Sequence, residues 1–338
     1  MPELPEVETV RRRLLTCLPG LLLREVVVND WTVGVQTEQE LNGYLAGRRV
    51  TGLRRRGKYL LVDFGLREAD GAGPGATGAG DGTGGADPGR PEEAATGGYS
   101  GPSVAVIHLR MTGQLVFRPK PGERPARFEW RLEPATTLFF QDVRRFGRLQ
   151  ALAPAAEEEY FAVRELGPEP FGPDFTLEYL RGALRDRRAP LKAFLLDQRR
   201  IAGVGNIYAD EALFRARLHP LRAAGSVGPR EAQRLHAAVL ETLQAGIDHE
   251  GSSIESFVDP AGQRGSFQEI LSVYQRTGEP CRVCGTTVER IVVGGRGTHY
   301  CPRCQPRRGG MAPGSRRQRG ETTPPRSAKP ADWEAPDL

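Results

Sequence analysis

Met1-Pro2-Glu3-Leu4-Pro5-Glu6-Val7-Glu8-Thr9-Val10 opens the chain, and Arg11-Arg12-Arg13-Leu14-Leu15-Thr16-Cys17-Leu18-Pro19-Gly20 continues it. Val7, Val10, Leu14, Cys17 and Leu18 recur at three- and four-residue spacing, which predicts one apolar helix stripe over residues 5–19. Pro5 suits a first helical turn, and Pro19-Gly20 ends the helix. Cys17, lying on the stripe, is expected in the core. Beyond Gly20 the period changes. Runs rich in Val, Leu, Phe and Tyr stand at 24–28, 48–53, 58–64, 104–108, 114–117, 127–132 and 137–141, bounded by turn residues. Several strands after one helix predict an N-terminal helix plus β-sandwich. From 176 the pattern is helical, at 176–186, 190–197, 206–217 and 229–248. Ala202-Gly203-Val204-Gly205 breaks two of these helices, and Asn206 is placed to N-cap the next. The class is α+β.

The chain has 338 residues with 42 Gly and 27 Pro, an excess that is concentrated rather than spread. Residues 71–102 hold 12 Gly and 4 Pro and too little apolar surface to offset ordering entropy, so a disordered insertion is expected there. It falls between the strands 58–64 and 104–108, as a hairpin insertion. Residues 306–338 read as a disordered tail. Lys and Arg exceed Asp and Glu by 47 to 42, a net +5 that permits nucleic acid as a partner without demanding it. No apolar run approaches the roughly 20 residues of a membrane span. Glu3, Glu6 and Glu8 occupy the place of a signal peptide's basic region. The expectation is a soluble cytoplasmic protein.

Cys281-x2-Cys284 and Cys301-x2-Cys304 have the spacing of a four-cysteine zinc ribbon. Two such turns present four thiolates to one ion and close a tetrahedral shell, so one structural Zn2+ is expected. Two disulfides are the alternative, disfavoured without a secretion signal. Arg290 and Arg296 lie among glycines on the hairpin 285–300, fit either for phosphate or for solvent. At the other end of the chain, small Pro2 permits removal of Met1, exposing a secondary amine that titrates near pH 7.7–8.0. Such an amine attacks an aldehyde carbon to give a permanently cationic iminium, an electron sink. Glu3 beside it can act as acid and base, with its carboxylate favoured by the helix N-terminus. The same residues also suit plain helix initiation, and alone they leave both readings open.

A resemblance joins these fragments. Pro2-Glu3-Leu4-Pro5-Glu6-Val7-Glu8 resembles the start of the bacterial formamidopyrimidine-DNA glycosylase (8-oxoguanine DNA glycosylase) family. Further motifs come in the family's order: Gly57-Lys58-Tyr59-Leu60-Leu61, His108-Leu109-Arg110-Met111-Thr112-Gly113 and Asp142-Val143-Arg144-Arg145-Phe146-Gly147. After them stand Leu166-Gly167-Pro168-Glu169-Pro170, Gly203-Val204-Gly205-Asn206-Ile207-Tyr208, Gly278-Glu279-Pro280-Cys281 and Gly295-Arg296-Gly297-Thr298-His299-Tyr300-Cys301. The resemblance implies a catalytic β-sandwich domain (2–150), a helical helix-two-turn-helix DNA-binding domain (151–275) and a zinc-ribbon finger (276–305).

It further implies a bifunctional glycosylase and abasic-site lyase acting as a monomer on damaged double-stranded DNA, with no membrane involved. Pro2 is then the nucleophile and Glu3 its acid and base, with Glu6 supporting the site. Lys58 and Arg296 complete the catalytic set. Met111, Arg144 and Phe146 match the side chains that fill the gap left by an extruded nucleotide. His108, Arg187, Asn206, Arg296 and Tyr274 match phosphate contacts, and Asn206 at a helix start suits an anion. Arg187 is otherwise a solvated helix charge. Three departures stand out: Arg110 replaces a common Gly, Pro125 and Arg127 lie where the family often has His, and the 71–102 insertion joins the strands of Lys58 and His108. Residues 258–268 resemble the family's mobile loop over the extruded base, whose sequence is too variable to give the substrate. Leu4 and Val7-Glu8 favour the branch acting on oxidised purines over the sister branch acting on oxidised pyrimidines. Intact Pro2, Glu3 and Lys58 disfavour a non-catalytic DNA-binding derivative.

Overall fold

The computed structural model describes residues 2–67, 99–119 and 126–307. The expected disordered insertion and tail lie outside these residues, apart from 99–102 and 306–307, as does Pro125. Helix α1 (Leu4–Leu15) starts with Pro5 in its first turn and buries Val7, Val10 and Leu14 on one face. It stops four residues earlier than the spacing predicts. The Leu18 N–H still reaches the Leu14 carbonyl at 2.8 Å, and Leu18 takes the next core position. Cys17 therefore leaves the stripe and is exposed, contrary to expectation, its thiol turned back to the Arg13 and Leu14 carbonyls.

Strands β1 (Leu22–Val28), β2 (Arg48–Arg56), β3 (Tyr59–Arg67), β4 (Ser103–His108), β5 (Gly113–Val116), β6 (Phe128–Glu133), β7 (Thr136–Asp142) and β8 (Arg148–Leu152) form one antiparallel sheet. Its order is β5-β7-β6-β1-β2-β3-β4-β8. Strand β1 pairs at length with β6 but touches β2 only through Leu22 and Leu23, so the sheet folds over there into two facing halves. Phe64 from one half meets Trp130 from the other edge-on, with ring centroids 5.6 Å apart, in a shared core. This is the sandwich that the strand runs predicted. Tyr59 pairs with His108 across the β3–β4 hairpin, and Arg67 and Ser103 lie at the hairpin's opposite end.

Three elements escape the periodicity. Helix α2 (Glu38–Leu45) buries only Leu41 and Leu45, too few for a visible stripe, although Thr37 and Glu40 form a capping box. Strand β8 is five residues long with only Leu149 and Ala151 buried, and its register is set by β4. Helix α3 (Glu157–Ala162) looks like a charged run, yet Tyr160 and Phe161 cover Leu61, Val104 and Val106 on the sheet's outer face.

Helices α4 (Leu177–Leu184), α5 (Leu191–Leu196), α6 (Asn206–Arg215) and α7 (Pro229–Asp248) surround a second core, and Leu4 of α1 belongs to it. One short helix thus feeds two cores, Leu4 on one side and Val7, Val10 and Leu14 on the other. Strands β9 (Glu289–Val293) and β10 (Arg296–Tyr300) form the ribbon hairpin. Its two-residue turn, Gly294-Gly295, takes φ +57° and +75°, a conformation in which only glycine is unstrained. None of the described helices is long and apolar enough to cross a membrane.

Candidate active site

The N-terminus of α1 is built into the gap between the two cores. The Leu4 N–H donates to the Gly203 carbonyl at 3.1 Å, just ahead of α6. Asn206 is not the N-cap of α6, as the sequence suggested, but its first residue; Gly205 holds the cap position. A carboxylate from the far end of the chain does the capping. Glu3 Oε1 accepts from the Ile207 N–H at 3.0 Å. A Cβ on residue 205 would come within 2.2 Å of the Glu3 carboxyl carbon, so glycine is required for this approach. Glu6 Oε2 accepts from the Glu3 N–H at 2.7 Å, and Glu6 Oε1 accepts from Tyr208 Oη and the Ser252 N–H, each at 2.7 Å.

Pro2, Glu3 and Glu6 are all buried, and Glu3 Oε2 has no hydrogen-bond partner among the described residues. The helix N-terminus was expected to favour the Glu3 carboxylate, but burial outweighs it. Loss of water, with Glu6 adding repulsion and Lys58 only partly compensating, pushes the Glu3 carboxyl up to about 7. Lys58 stands in the tight turn between β2 and β3 rather than on the strand. Burial pushes its ammonium pKa down and Arg296 adds to this, while Glu3 acts in the opposite sense. The turn is gripped from the other half of the molecule, because Glu169 accepts from the Gly57 N–H and pairs with Arg55 and Arg56.

His108 is buried edge-on to Tyr59, and its pKa is pushed down to about 3 by burial and by Arg110 and Lys58. It is neutral near pH 7. Its Nδ1 accepts from the Arg110 N–H at 2.9 Å, so the proton sits on Nε2, which is available as a donor. Arg110 has φ +57°, which explains the glycine common at this place in the resembled family. Met111 is half-buried and Phe146 is 47% exposed, with the Arg144 guanidinium 5.1 Å above the Phe146 ring. Asn206 Nδ2 donates to the Gly297 carbonyl at 3.2 Å and approaches Tyr274 Oη at 3.4 Å, joining α6 to the residue after exposed Arg296. Arg187 stands apart. It lies beyond the end of α4 rather than on a helix, exposed, and among the described residues its hydrogen bonds are backbone ones to Leu184 and Gly225.

The sequence reading missed the group that holds the ribbon in place. Lys192, fully buried, pairs with buried Asp210 at 2.7 Å and donates to the Gly297 carbonyl at 3.0 Å. Asp210 also accepts from the His299 N–H at 2.8 Å. A lone Lys inside the apolar run Leu191–Leu196 was the one visible trace of it. The four ribbon sulfurs lie within 4.8 Å of one another, with Cys281–Cys304 at 3.9 Å and Cys284–Cys301 at 3.5 Å. Tetrahedral thiolates on one ion sit about 3.8 Å apart, whereas disulfide sulfurs sit about 2.05 Å apart. The residues fit a metal and not two disulfides.

Comparison with known proteins agrees with this geometry. Residues 1–149 match the formamidopyrimidine-DNA glycosylase N-terminal domain and residues 166–258 its H2TH domain. Residues 278–307 match a zinc finger found in FPG and IleRS. The chain belongs to the formamidopyrimidine-DNA glycosylase family. It is 39% identical over 308 residues to the formamidopyrimidine-DNA glycosylase of Pelotomaculum thermopropionicum, covering 90% of this chain and 99% of that one. Identity to the Heliobacterium modesticaldum protein is 41% over 311 residues, covering 90% and 100%. Among solved structures, the MutM (FPG) protein of Thermus thermophilus superposes with a TM-score of 0.72 at 41% identity, over 90% of this chain and 98% of that one. Lactococcus lactis FPG in complex with abasic-site DNA gives 0.74 at 31% identity, over 90% and 99%. Membership of this family makes the chain a DNA repair glycosylase, an enzyme with a four-cysteine finger.

Burial of Glu3 has a consequence for stability. Its carboxyl, ordinarily near 4.5, is pushed up to about 7, so between these values the folded chain holds a proton that the unfolded chain has released. The stabilisation is complete below the unfolded value and lost as pH rises through the folded one. Glu3→Gln keeps an oxygen for the Ile207 N–H and removes the titration. Urea midpoints should show the variant more stable than wild type at about pH 8, with the difference shrinking towards about pH 5; parallel midpoints across that range would contradict the shift.

Proposed function

We propose that the chain excises oxidised purines, 8-oxoguanine and formamidopyrimidines, from duplex DNA and then cleaves the abasic site by β- and δ-elimination. The observation that carries this is the burial of Glu3 and Lys58 together beside Pro2, at a point walled by α1, α6 and the ribbon. A proton-holding carboxyl and a weakened ammonium beside an N-terminal secondary amine are what iminium chemistry needs. The division into 2–150, 151–275 and 276–305 belongs to this reading.

The Pro2 nitrogen attacks C1′ of the extruded nucleotide and the base leaves with the glycosidic electron pair. The pyrrolidine N–H proton passes to the departing base. Glu3, which holds its proton up to about pH 7, donates it to the ring oxygen as the sugar opens to the iminium, leaving a carboxylate that can take the C2′ proton. The iminium acidifies C2′–H; loss of that proton expels the 3′ phosphate, and a second elimination expels the 5′ phosphate. Lys58 and Arg296 stabilise the charge that develops on those phosphates. Neutral His108 donates from Nε2 to a phosphate, and Asn206, Tyr274 and Arg187 extend the backbone contacts. Met111 and Phe146 enter the stack, and Arg144 faces the orphaned base, a cytosine where the lesion is 8-oxoguanine in its normal pair. The four cysteines hold one structural Zn2+, which would keep the ribbon folded. One chain carries the whole set, which supports action as a monomer; a cytoplasmic, nucleoid-associated location belongs to the same reading.

Support for the lesion class comes from relatives. A Lactococcus lactis FPG mutant was solved with Fapy-dG containing DNA. The wild-type Lactococcus lactis FPG was also solved with an oxidized pyrimidine containing DNA, which favours a second reading in which pyrimidine lesions are substrates too.

Borohydride added to enzyme and abasic-site duplex should trap a covalent protein–DNA adduct, and Pro2→Gly should reduce it by about a hundredfold; equal trapping by the variant would falsify the iminium. In single-turnover assays 8-oxoguanine opposite cytosine should be excised at least about tenfold faster than thymine glycol opposite adenine, and the reverse order would place the chain in the sister branch. Metal analysis of the purified protein should return one equivalent of zinc, with Cys284→Ser reducing it; iron in its place would overturn the zinc assignment.

A further inference from the structure

Asp142 and Arg127 form a buried pair, with side chains 0% and 3% exposed and 3.3 Å between Nη1 and Oδ2. Neither belongs to the proposed catalytic or DNA-contacting set. A buried ion pair contributes little net stability, because desolvation offsets most of the attraction. Its partners indicate another use. Asp142 Oδ1 accepts from the Thr112 hydroxyl and from the Arg144 N–H at 3.3 Å, and Oδ2 accepts from the Gly147 N–H at 2.6 Å. The Arg144 N–H also donates to Thr112 Oγ1 at 3.1 Å. One carboxylate thus holds both ends of the turn bearing Arg144 and Phe146, and through Thr112 it holds the turn bearing Met111.

Arg127 fixes the carboxylate in turn. Its Nη1 donates to Asp142 and to the Gly147 carbonyl at 3.0 Å, its Nη2 to Thr32 Oγ1 at 2.8 Å and its Nε to Asp30 Oδ2 at 3.2 Å. A guanidinium presents its donors as a planar fork and keeps its charge at every working pH, whereas a lysine offers one compact ammonium that cannot span four acceptors. Two turns that are 30 residues apart in the chain are therefore tied into one rigid body.

We infer that Asp142, Thr112 and Arg127 are positioning residues that preassemble Met111, Arg144 and Phe146 as a single wedge, so that extrusion of the damaged nucleotide depends on them while the chemistry at Pro2 does not. The inference rests on the wedge role proposed above. Unstacking a base step is costly, and a wedge ordered beforehand does not add its own ordering entropy to that cost.

Thr112→Val is the discriminating variant. It keeps the shape of a half-buried side chain and removes the hydroxyl that links the two turns, while Thr112→Ser restores it. Three measurements are compared: single-turnover excision of 8-oxoguanine from duplex, fluorescence of 2-aminopurine placed opposite the lesion, and borohydride trapping on a single-stranded abasic oligonucleotide, which needs no wedge. Thr112→Val should lose about tenfold in duplex excision and slow the fluorescence change equally, with single-strand trapping held within about twofold of wild type. Thr112→Ser should recover to within about threefold, and Asp142→Asn should lose more than Thr112→Val. Wild-type behaviour of Thr112→Val on the duplex overturns the proposal, and so does an equal loss on duplex and single strand, which would mark a general structural defect. Failure of wild type to trap at all would sink the iminium reading instead, and the fluorescence comparison would still judge the wedge.

Discussion

A single carboxyl group, that of Glu3, sits where the two halves of the molecule meet, accepting the Ile207 N–H at the start of α6. Much else depends on fitting it there. Leu4, its neighbour, packs into the helical core while Val7, Val10 and Leu14 pack into the sandwich, so the helix cannot shift without disturbing both. The glycine at 205 leaves room for the carboxyl, and the Glu6 carboxylate fixes the backbone ahead of it. The desolvation that raises the carboxyl's pKa is therefore imposed by the architecture, at a cost in stability above about pH 7.

The same logic runs outward. Lys58 is placed by a turn that Glu169 grips from across the molecule, and Arg296 by a hairpin whose next residue is held by Lys192 and Asn206. Glu3 and the Lys58 turn each stand on an element of one half and are held by the other, whereas Arg296 stands on the ribbon and is steadied from the helical core. The site is a property of the joint, and it exists only when both cores and the ribbon are folded.

Legibility in the sequence tracked the range of the interactions. The α1 stripe, the alternating strands and the paired Cys-x2-Cys turns are local patterns, and they read correctly. Helix α2 was too short to show a stripe, and β8 owes its register to β4. Cys17 misled because periodicity says nothing of where a helix stops. Pro2 and Glu3 are ambiguous from chemistry alone, since helix initiation uses the same residues; it is the resemblance to the family that favours the catalytic reading proposed for them. Lys192 shows only as a lone Lys in an apolar run, and the roles of Asp210 and Asp142 do not show because they lie in partners on other elements. Asn206 has the sequence of a cap, but the true capping group comes from the other end of the chain.

The β3–β4 hairpin carries a further consequence. Tyr59 and His108 pair at the end beside the site, whereas the chain departs from β3 at Arg67 and returns at Ser103. At about 3.3 Å per residue these ends lie roughly 26 Å apart along β3 and roughly 17 Å apart along β4. The long Gly-rich stretch of sequence is thus joined to the strands of Tyr59 and His108 at the end remote from the candidate site. The hairpin is a spacer, whose length sets how far the point where the chain leaves β3 stands from the Lys58 turn.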